Sequence, residues 1–420
     1  MAARKLEVYL HGIKSGVLQD NDGSLSFKYE DGAANPLSVR MPVREQEYTD
    51  RECRPFFENL LPEGAVRSAV ALKERVSEGN VFSMLDRIGG DCAGAVSLYE
   101  EGSKETGAAD GPPEEITGDE LYRIINSQRT SPLLSGRDIR LSLAGAQPKF
   151  AVYMKEGRMY YPRGGYFSSH LIKPRSAGFE GLAINEYFCM RLAAKTGIAV
   201  PYVELRRVKG TEYLLVDRFD RLTGSGGRER VHQEDLCQAL GYTSDRKYQK
   251  EGGPGLKDCY EFLSGVSGIG SSERFVTLLV YNYLTGNCDA HAKNFSILHG
   301  IENIRYAGGA QHAARKPGAV TLAPFYDLVS TDAYGNLSKD MAMKVGGAWD
   351  IREVQKHDLY RFADEVKIKE KEMDRILGNF LALPEAAQKT AAEISGMGFD
   401  TGICAVITEG IVRRLGKIKK

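Results

Sequence analysis

The stretch Tyr283–Gly300, YLTGNCDAHAKNFSILHG, follows a helical run of apolar residues and decides what the C-terminal half of the chain can be. Within it Asp289 and Asn294 have the spacing Asp-x-x-x-x-Asn. Phosphoryl transfer needs such a pair on one loop: an Asp that orients the attacking hydroxyl and takes its proton, and an Asn that holds a magnesium ion on the phosphates. Lys293 would add positive charge beside the group in transfer. The spacing alone also suits a capped turn, because Asp and Asn are ordinary loop residues. Its meaning therefore depends on its neighbours.

Downstream, LAPFYDLVS (Leu322–Ser330) runs from an apolar strand into a polar turn at Asp327. Magnesium wants hard oxygen ligands from separate segments, and Asn294 with Asp327 would supply them; a turn-capping Asp is the alternative. Upstream, Lys173 ends the strand-like SHLIKP, the kind of position from which a lysine reaches nucleotide phosphates, although an isolated strand-end lysine is more often just solvated. Glu186, on the helical LAINEYFCMRLAAKTG that follows, is a candidate partner for Lys173. Ahead of both, LSLAGAQPKF (Leu141–Phe150) places Ala144, Gly145 and Ala146 in a tight turn whose backbone N–H groups can approach phosphates. Between these segments LLVDRFDR would present the backbone of Asp217, Arg218 and Phe219 to an adenine ring, or else simply end a buried strand. The order is loop, strand lysine, helix glutamate, hinge, helical region, Asp-x-x-x-x-Asn, strand, Asp. That order carries more weight than any single match.

The rest of the chain fits a globular protein built around this series. It has 420 residues, 42% hydrophobic and 27% charged, enough for two or three domains with real cores. Its 56 basic and 56 acidic side chains balance, so there is no overall bias toward nucleic acid or acidic membranes. The opening MAARKLEVYLHGIKSG lacks the apolar centre of a secretory signal, and no apolar run approaches the about 18 residues of a membrane span. The seven scattered cysteines form no Cys-x-x-Cys pair. A reducing cytoplasm, no zinc site, no disulfide framework and no membrane partner are the expectations.

LEVYL, GVLQ and SLSFKY alternate between turn-rich segments and predict a β-meander. Pro62, in CRPFFENLLPEGAVRSAVALKERV, is expected to interrupt or open a helix. Glu100–Glu120 is acidic, Gly/Pro-rich and predicts an exposed linker. Strands, one covering helix and further strands follow it and predict a mixed sheet. From His232 the periodicity turns helical, with three or four helices after Asp350. The insert containing GGAQHAARKPGA, between Asn294 and Asp327, is expected to be a surface loop.

At these residues the sequence resembles the HipA family, the serine/threonine kinase toxins of bacterial toxin–antitoxin operons. The matching stretches are ENLLPEG, DRIGGDCAGAVSLY, LSLAGAQPKF, SHLIKP, NEYFCMRLA, VDRFDR, HQEDLCQALG, YQKEGGPG, DAHAKNFS and PFYD, spread over nearly the whole chain. The resemblance implies an α+β, two-lobed protein-kinase-like fold, with an N-terminal β-rich subdomain (1–105), an N-lobe with the nucleotide loop (106–230) and a mainly α-helical C-lobe (231–420). It implies ATP and Mg as cofactors and transfer of phosphate to a serine of a protein, with an aminoacyl-tRNA synthetase as the known kind of target.

Carried over by motif, Asp289 is the catalytic base, Asn294 and Asp327 hold magnesium, and Lys173 contacts the phosphates. Ala144, Gly145, Ala146, Gln147, Pro148 and Lys149 cover the nucleotide, Asp217–Phe219 form the hinge, and His291, Ala292, Lys293, Asn294 and Tyr326 line the site. Ser142 matches the serine whose autophosphorylation ejects the phosphate loop, an ordinary solvent-facing serine being the alternative. Pro148 departs from several relatives, which carry an acidic residue there; it removes a backbone donor and stiffens the loop. Ala290 also departs, since Gly often follows the catalytic Asp in relatives.

The implied partner is a small helix-turn-helix antitoxin of the HipB type that binds operator DNA. The basic end IVRRLGKIKK offers Arg413, Arg414, Lys417, Lys419 and Lys420 for phosphates, or is a solvated helix end favoured by the macrodipole. A small-molecule kinase would share the same phosphoryl motifs. A catalytically quiet corepressor in an antitoxin–DNA complex is the reading from a different class.

Overall fold

The computed structural model describes residues 4–103, 113–126, 142, 144–145, 147–162, 166–176, 178–224, 227–307 and 310–419. Two compact units emerge: Met1–Pro174 with Arg206–Ser244 and Leu298–Ile301, and Arg175–Leu205 with Asp245–Ile297 and Glu302–Lys420. The N-terminal subdomain and the nucleotide-loop sheet share one unit, while the helix carrying Glu186 belongs to the other.

In the first unit the β-meander forms as its alternation predicts. Arg4–Leu10, Ile13–Asn21 and Ser24–Tyr29 pair antiparallel, and Val96–Glu100 closes the other edge. Leu6, Val8, Leu18, Leu25 and Phe27 point inward onto Phe56, Phe57, Met84 and Leu85 from helices Asp50–Glu58 and Val81–Ile88. Each such side chain is worth about 1.5–3 kcal/mol when buried. The proline inside the first helix is Pro55. Pro62 lies beyond the helix, in an extended segment that bridges to Gly145.

The second sheet of this unit has strands in the order Arg158–Tyr160, Phe150–Lys155, His170–Pro174, Thr211–Asp217 and Val203–Val208. The first three pairings in that order are antiparallel. Phe150, Val152, Ile172, Tyr213 and Leu215 pack against Leu121, Ile124 and Ile125 of a helix, Gly118–Asn126. That covering helix was hidden at the end of the expected linker. The linker's later part is not free either: Ile116 donates to Met159 O at 2.8 Å and Tyr161 to Glu114 O at 2.9 Å. Its residues 104–112 lie outside the described ones. Because Ile172 faces this helix, strand alternation turns Lys173 to the opposite face of the sheet.

The second unit is mainly helical. Ile269–Thr285 is almost wholly buried, packed on Leu256–Ser267 and on the C-terminal helix Gly402–Lys419. Tyr281 fixes it to Leu182–Lys195 by donating to Cys189 O at 2.6 Å. The expected surface loop GGAQHAARKPGA belongs instead to a strand, Ala310–Leu322, that neighbours Ser296–Ala307. Backbone pairing rather than side-chain burial holds it, so its Gly, Ala and Pro content concealed it. Among the described residues no helix is long and apolar enough to cross a membrane.

Candidate active site

In the helical unit the Asp289 turn is built from the end of helix Ile269–Thr285. Gly286 terminates that helix in the left-handed conformation (φ 84°), and its N–H returns to Asn282 O at 2.9 Å. A Cβ there would come within 2.9 Å of Asp332 and 2.8 Å of Arg414, so glycine is required by space as well as by φ. Asn282 also accepts from Asn287 Nδ2 at 3.2 Å, and Asn287 Oδ1 accepts the Asp289 N–H at 3.1 Å. Cys288 N–H donates to Thr331 Oγ1 at 2.8 Å, and its carbonyl accepts from Ala342 at 2.7 Å. These backbone groups of the turn thus meet partners, while the Asp289 side chain is exposed. Burial pushes the neighbouring Cys288 thiol up to about 11, which favours its protonated form.

Asn294 closes the turn. Its Nδ2 donates to Asp289 O at 3.0 Å, which leaves the amide oxygen as the end able to face a cation. The short 3-10 turn Ala292–Asn294 is pinned by Tyr326, whose hydroxyl donates to Lys293 O at 2.8 Å and accepts from Ser296 Oγ at 2.6 Å. Tyr326 therefore ties the Asn294 segment to the Asp327 segment. His291, which precedes this turn, and Ala292 and Lys293 within it are buried.

Asp327 has φ +54°, a left-handed conformation uncommon outside glycine but tolerated by Asp. The turn is held at both ends: Phe325 N–H donates to Ala199 O at 2.8 Å, while Asn185 both donates to Ser330 O and accepts its N–H, at 2.9 and 2.8 Å. Strained backbone over-determined by its surroundings is characteristic of functional turns. Asn294 and Asp327 suit magnesium, which takes one or two protein oxygens and completes its shell with phosphates and water. Among the described residues no cluster of three or more His, Cys, Asp or Glu side chains suits a metal.

The C-terminal helix contributes the main anchor. Arg414, 3% exposed, donates to Leu284 O at 2.9 Å and pairs with Asp332 at 2.5 Å; Asp332 N–H in turn meets Gly286 O at 2.9 Å. Burial raises the Asp332 carboxyl, but Arg414 and Lys339 outweigh it and hold it below the ordinary range. Arg414 is thus neither available for phosphates nor solvated, contrary to both sequence readings. Arg413 also reaches Asp332, and Lys417 reaches the Arg352 carbonyl.

In the first unit, Ser142 is fully buried rather than solvent-facing. Its hydroxyl donates to Leu60 O at 2.6 Å and its N–H to Asp91 O at 3.2 Å. Gly145, at φ +102°, accepts from Glu63 N–H at 3.2 Å, and Lys149 curls back to Ala144 O at 2.6 Å. Gln147 and Pro148 are half-buried, and Ala146 lies outside the described residues. Lys173 is 3% exposed in the first unit; Glu186 is equally buried in the second.

Of the expected hinge, the Asp217 carboxylate contacts the His170 ring nitrogen Nε2. Arg218 has its backbone engaged internally, N–H to Ser169 O at 3.0 Å and carbonyl to Arg221 N–H at 3.1 Å. Its guanidinium belongs to a buried cluster with Asp220, Asp91, Ser168 and Arg221. Within that cluster burial pushes the Asp220 carboxyl up, yet Arg218 and Arg221 hold it down at about 2. Arg218 therefore holds the segment in place, and adenine contacts would fall to its neighbours.

Two motifs that carried the resemblance acquire structural roles. In HQEDLCQALG, Asp235 and Gln238 form a reciprocal helix cap at 2.8 Å each way. Glu234 accepts from Ser38 Oγ at 2.6 Å and Val39 N–H at 2.9 Å, and contacts His299 at 2.8 Å. The motif thus stitches the N-terminal subdomain into the first unit. In YQKEGGPG, Tyr248 donates its hydroxyl to Asp289 Oδ1 at 2.7 Å, a contact the linear sequence concealed because 41 positions separate the partners.

Comparison with known proteins agrees with this architecture. Residues 141–387 match the HipA-like C-terminal domain and residues 6–99 the HipA N-terminal domain. A putative kinase, Y4mE, of Sinorhizobium fredii is 39% identical over 381 residues, 88% of this chain and 87% of its own. The serine/threonine-protein kinase toxin HipA of Shewanella oneidensis is 29% identical over 346 residues, covering 78% of this chain and 74% of that one. The solved complex of HipA, HipB and operator DNA from Shewanella oneidensis superposes with a TM-score of 0.79 at 24% identity, over 99% of this chain and 96% of that one.

Proposed function

The chain belongs to the HipA family of kinases, and from that premise we propose that it transfers the γ-phosphate of ATP to a serine or threonine hydroxyl of a protein. The observation that carries this reading is the closed Asp289–Asn294 turn, tied through Tyr326 to the left-handed turn at Asp327. Asp289 accepts the acceptor's proton as its oxygen attacks. Asn294 Oδ1 and the Asp327 carboxylate would hold Mg, which when bound would neutralise charge on the phosphates. Lys173 and the loop residues 144–149 bind the phosphates, and Asp217 and Phe219 flank the adenine.

Ser142 is, on this reading, the autophosphorylation site. Its hydroxyl is engaged by Leu60 O with no exposed surface, so the loop has to leave this position before the oxygen can be phosphorylated. A phosphate carries about −1.5 to −2 charges and would not re-enter a buried site facing a carbonyl. Phosphorylation would then trap the loop outside. A HipB-like antitoxin bound to operator DNA is the proposed partner, and an aminoacyl-tRNA synthetase a candidate target, because those are the partner and target of the family.

The test is a phosphate-transfer assay with ATP and Mg on the full chain, with Asp289→Ala, Asp327→Ala and Ser142→Ala beside it. Transfer should vanish in the first, and ATP binding should lose its Mg dependence in the second. Label should be lost from the Ser142 peptide in the third. Transfer undiminished in Asp289→Ala would reject the assigned base.

A further inference from the structure

YQKEGGPG is among the most distinctive stretches of the chain, yet the phosphoryl chemistry assigns it no task. It folds as a tight knot. Gly253 N–H and Glu251 N–H both return to Tyr248 O, each at 3.0 Å, and Gly252 takes φ +81°. Gly253 passes so close to the preceding chain that a Cβ would lie 2.0 Å from Arg246 O and 2.9 Å from Tyr248 O. Only glycine fits there, for reasons of space rather than φ. A Cβ on Gly255 would meet the Gln249 side chain at 2.6 Å, and Gln249 Oε1 accepts the Lys344 N–H at 2.9 Å. Lys250 pairs with Asp340 at 2.5 Å and lies 4.8 Å over the Trp349 ring.

The product of all these bonds is one fixed side chain. The Tyr248 ring meets His291 edge-on at 5.2 Å and 83°, and its hydroxyl donates to Asp289 Oδ1 at 2.7 Å. A free carboxylate on an exposed turn rotates; one held by a hydroxyl on a packed ring does not. Building a Gly-Gly-Pro-Gly knot to aim a hydroxyl at a single carboxylate oxygen makes sense if the carboxylate's orientation matters.

We propose that Tyr248 is a positioning residue for the reaction: it fixes Oδ1 of Asp289 so that Oδ2 receives the acceptor hydroxyl. This rests on the reading of Asp289 as the base. Tyr248 touches neither nucleotide nor acceptor in this role, and its hydroxyl keeps its proton throughout. The knot is then the rigid support of the acceptor side of the site, as the Arg414 anchor is of the turn itself.

The test uses the full chain, ATP and Mg, with self-phosphorylation measured across ATP concentrations for wild type, Tyr248→Phe, Gly253→Ala and Asp289→Ala. Phenylalanine keeps the ring against His291 and removes only the hydroxyl. Tyr248→Phe should lower the maximal rate about ten- to a hundredfold while the half-saturating ATP concentration stays within twofold and Tm is unchanged. Gly253→Ala, with the hydroxyl intact but its support displaced, should lower the maximal rate in the same way; if it does not fold, Tyr248→Phe alone decides. A Tyr248→Phe rate within twofold of wild type, beside an inactive Asp289→Ala, overturns this inference and leaves the base in place. A rise in half-saturating ATP that accounts for the whole effect also overturns it. Transfer by Asp289→Ala equal to wild type, or none by wild type, overturns the inference together with the reading it rests on.

Discussion

The turn at Asp289 and the loop at Ser142 are secured in different ways, and the difference tells what each is for. The turn is closed by a buried arginine paired with Asp332, by a bidentate asparagine at the neighbouring Asp327 turn, and by tyrosine hydroxyls on both flanks. Among its described residues, the loop's bonds include neutral hydrogen bonds to main-chain atoms at Leu60, Glu63 and Asp91, one of them donated by the serine that would be modified. Charged, buried anchors are costly to break, whereas neutral hydrogen bonds are individually worth about 1 kcal/mol. One segment is built to stay and the other to leave.

The sharpest way to break the contrast is at the turn's reactive group. Asp289→Ala should cut phosphate transfer by about a hundred- to ten-thousandfold, with ATP binding by calorimetry little changed. Next in size is the anchor. Arg414→Ala leaves Asp332 with only its weaker partners, and should cost about 3–5 kcal/mol, seen as a lowered Tm and urea midpoint. Ser142→Glu should weaken ATP binding by about tenfold, about 1.4 kcal/mol, by placing a carboxylate where the Leu60 carbonyl now accepts a hydrogen bond. Ser142→Ala removes one buried hydrogen bond and should cost about 1 kcal/mol of loop docking, read as faster amide exchange around Gly145.

The same contrast has a pH signature. The folded Asp332 carboxyl is held below its unfolded value, so its contribution to stability is complete above the unfolded range near pH 4. It is lost as pH falls through the lower folded value. Asp220, held at about 2, behaves likewise in the first unit. Acid unfolding should therefore begin below pH 4, and Arg414→Ala should flatten the pH dependence of the second unit. An unchanged acid limb in that variant would show that the Arg414–Asp332 pair is not what secures the turn.

Much of this was legible in the sequence, for identifiable reasons. Strand alternation in LEVYL and SLSFKY and helical periodicity around Phe275–Leu284 are local signals, and the corresponding elements form where expected. Asp289, Asn294 and Asp327 stand in segments whose spacing is itself the signal. The bonds that fix those segments were illegible because their partners are distant: Asn185 with Ser330, Tyr248 with Asp289, Arg414 with Asp332. Nothing local distinguishes Arg414 from the other basic residues of its helix; only burial does. The Ala310–Leu322 strand and the Gly118–Asn126 helix were missed because Gly, Pro and acidic residues dominate around them, and pairing or a single apolar face overrode composition. The burial of Ser142, read from the sequence as the switch serine or else as a solvent-facing one, was hidden because it comes from Leu60 and Asp91 and not from its own neighbours.

The intact mass of the purified chain after incubation with ATP and Mg, wild type beside Asp289→Ala, decides whether Asp289 drives phosphate transfer. One added phosphate is expected in the wild type, mapped to Ser142, and none in the variant. An equal increment in both proteins would contradict it, and so would no increment in either with ATP binding also absent, which would favour a quiet corepressor.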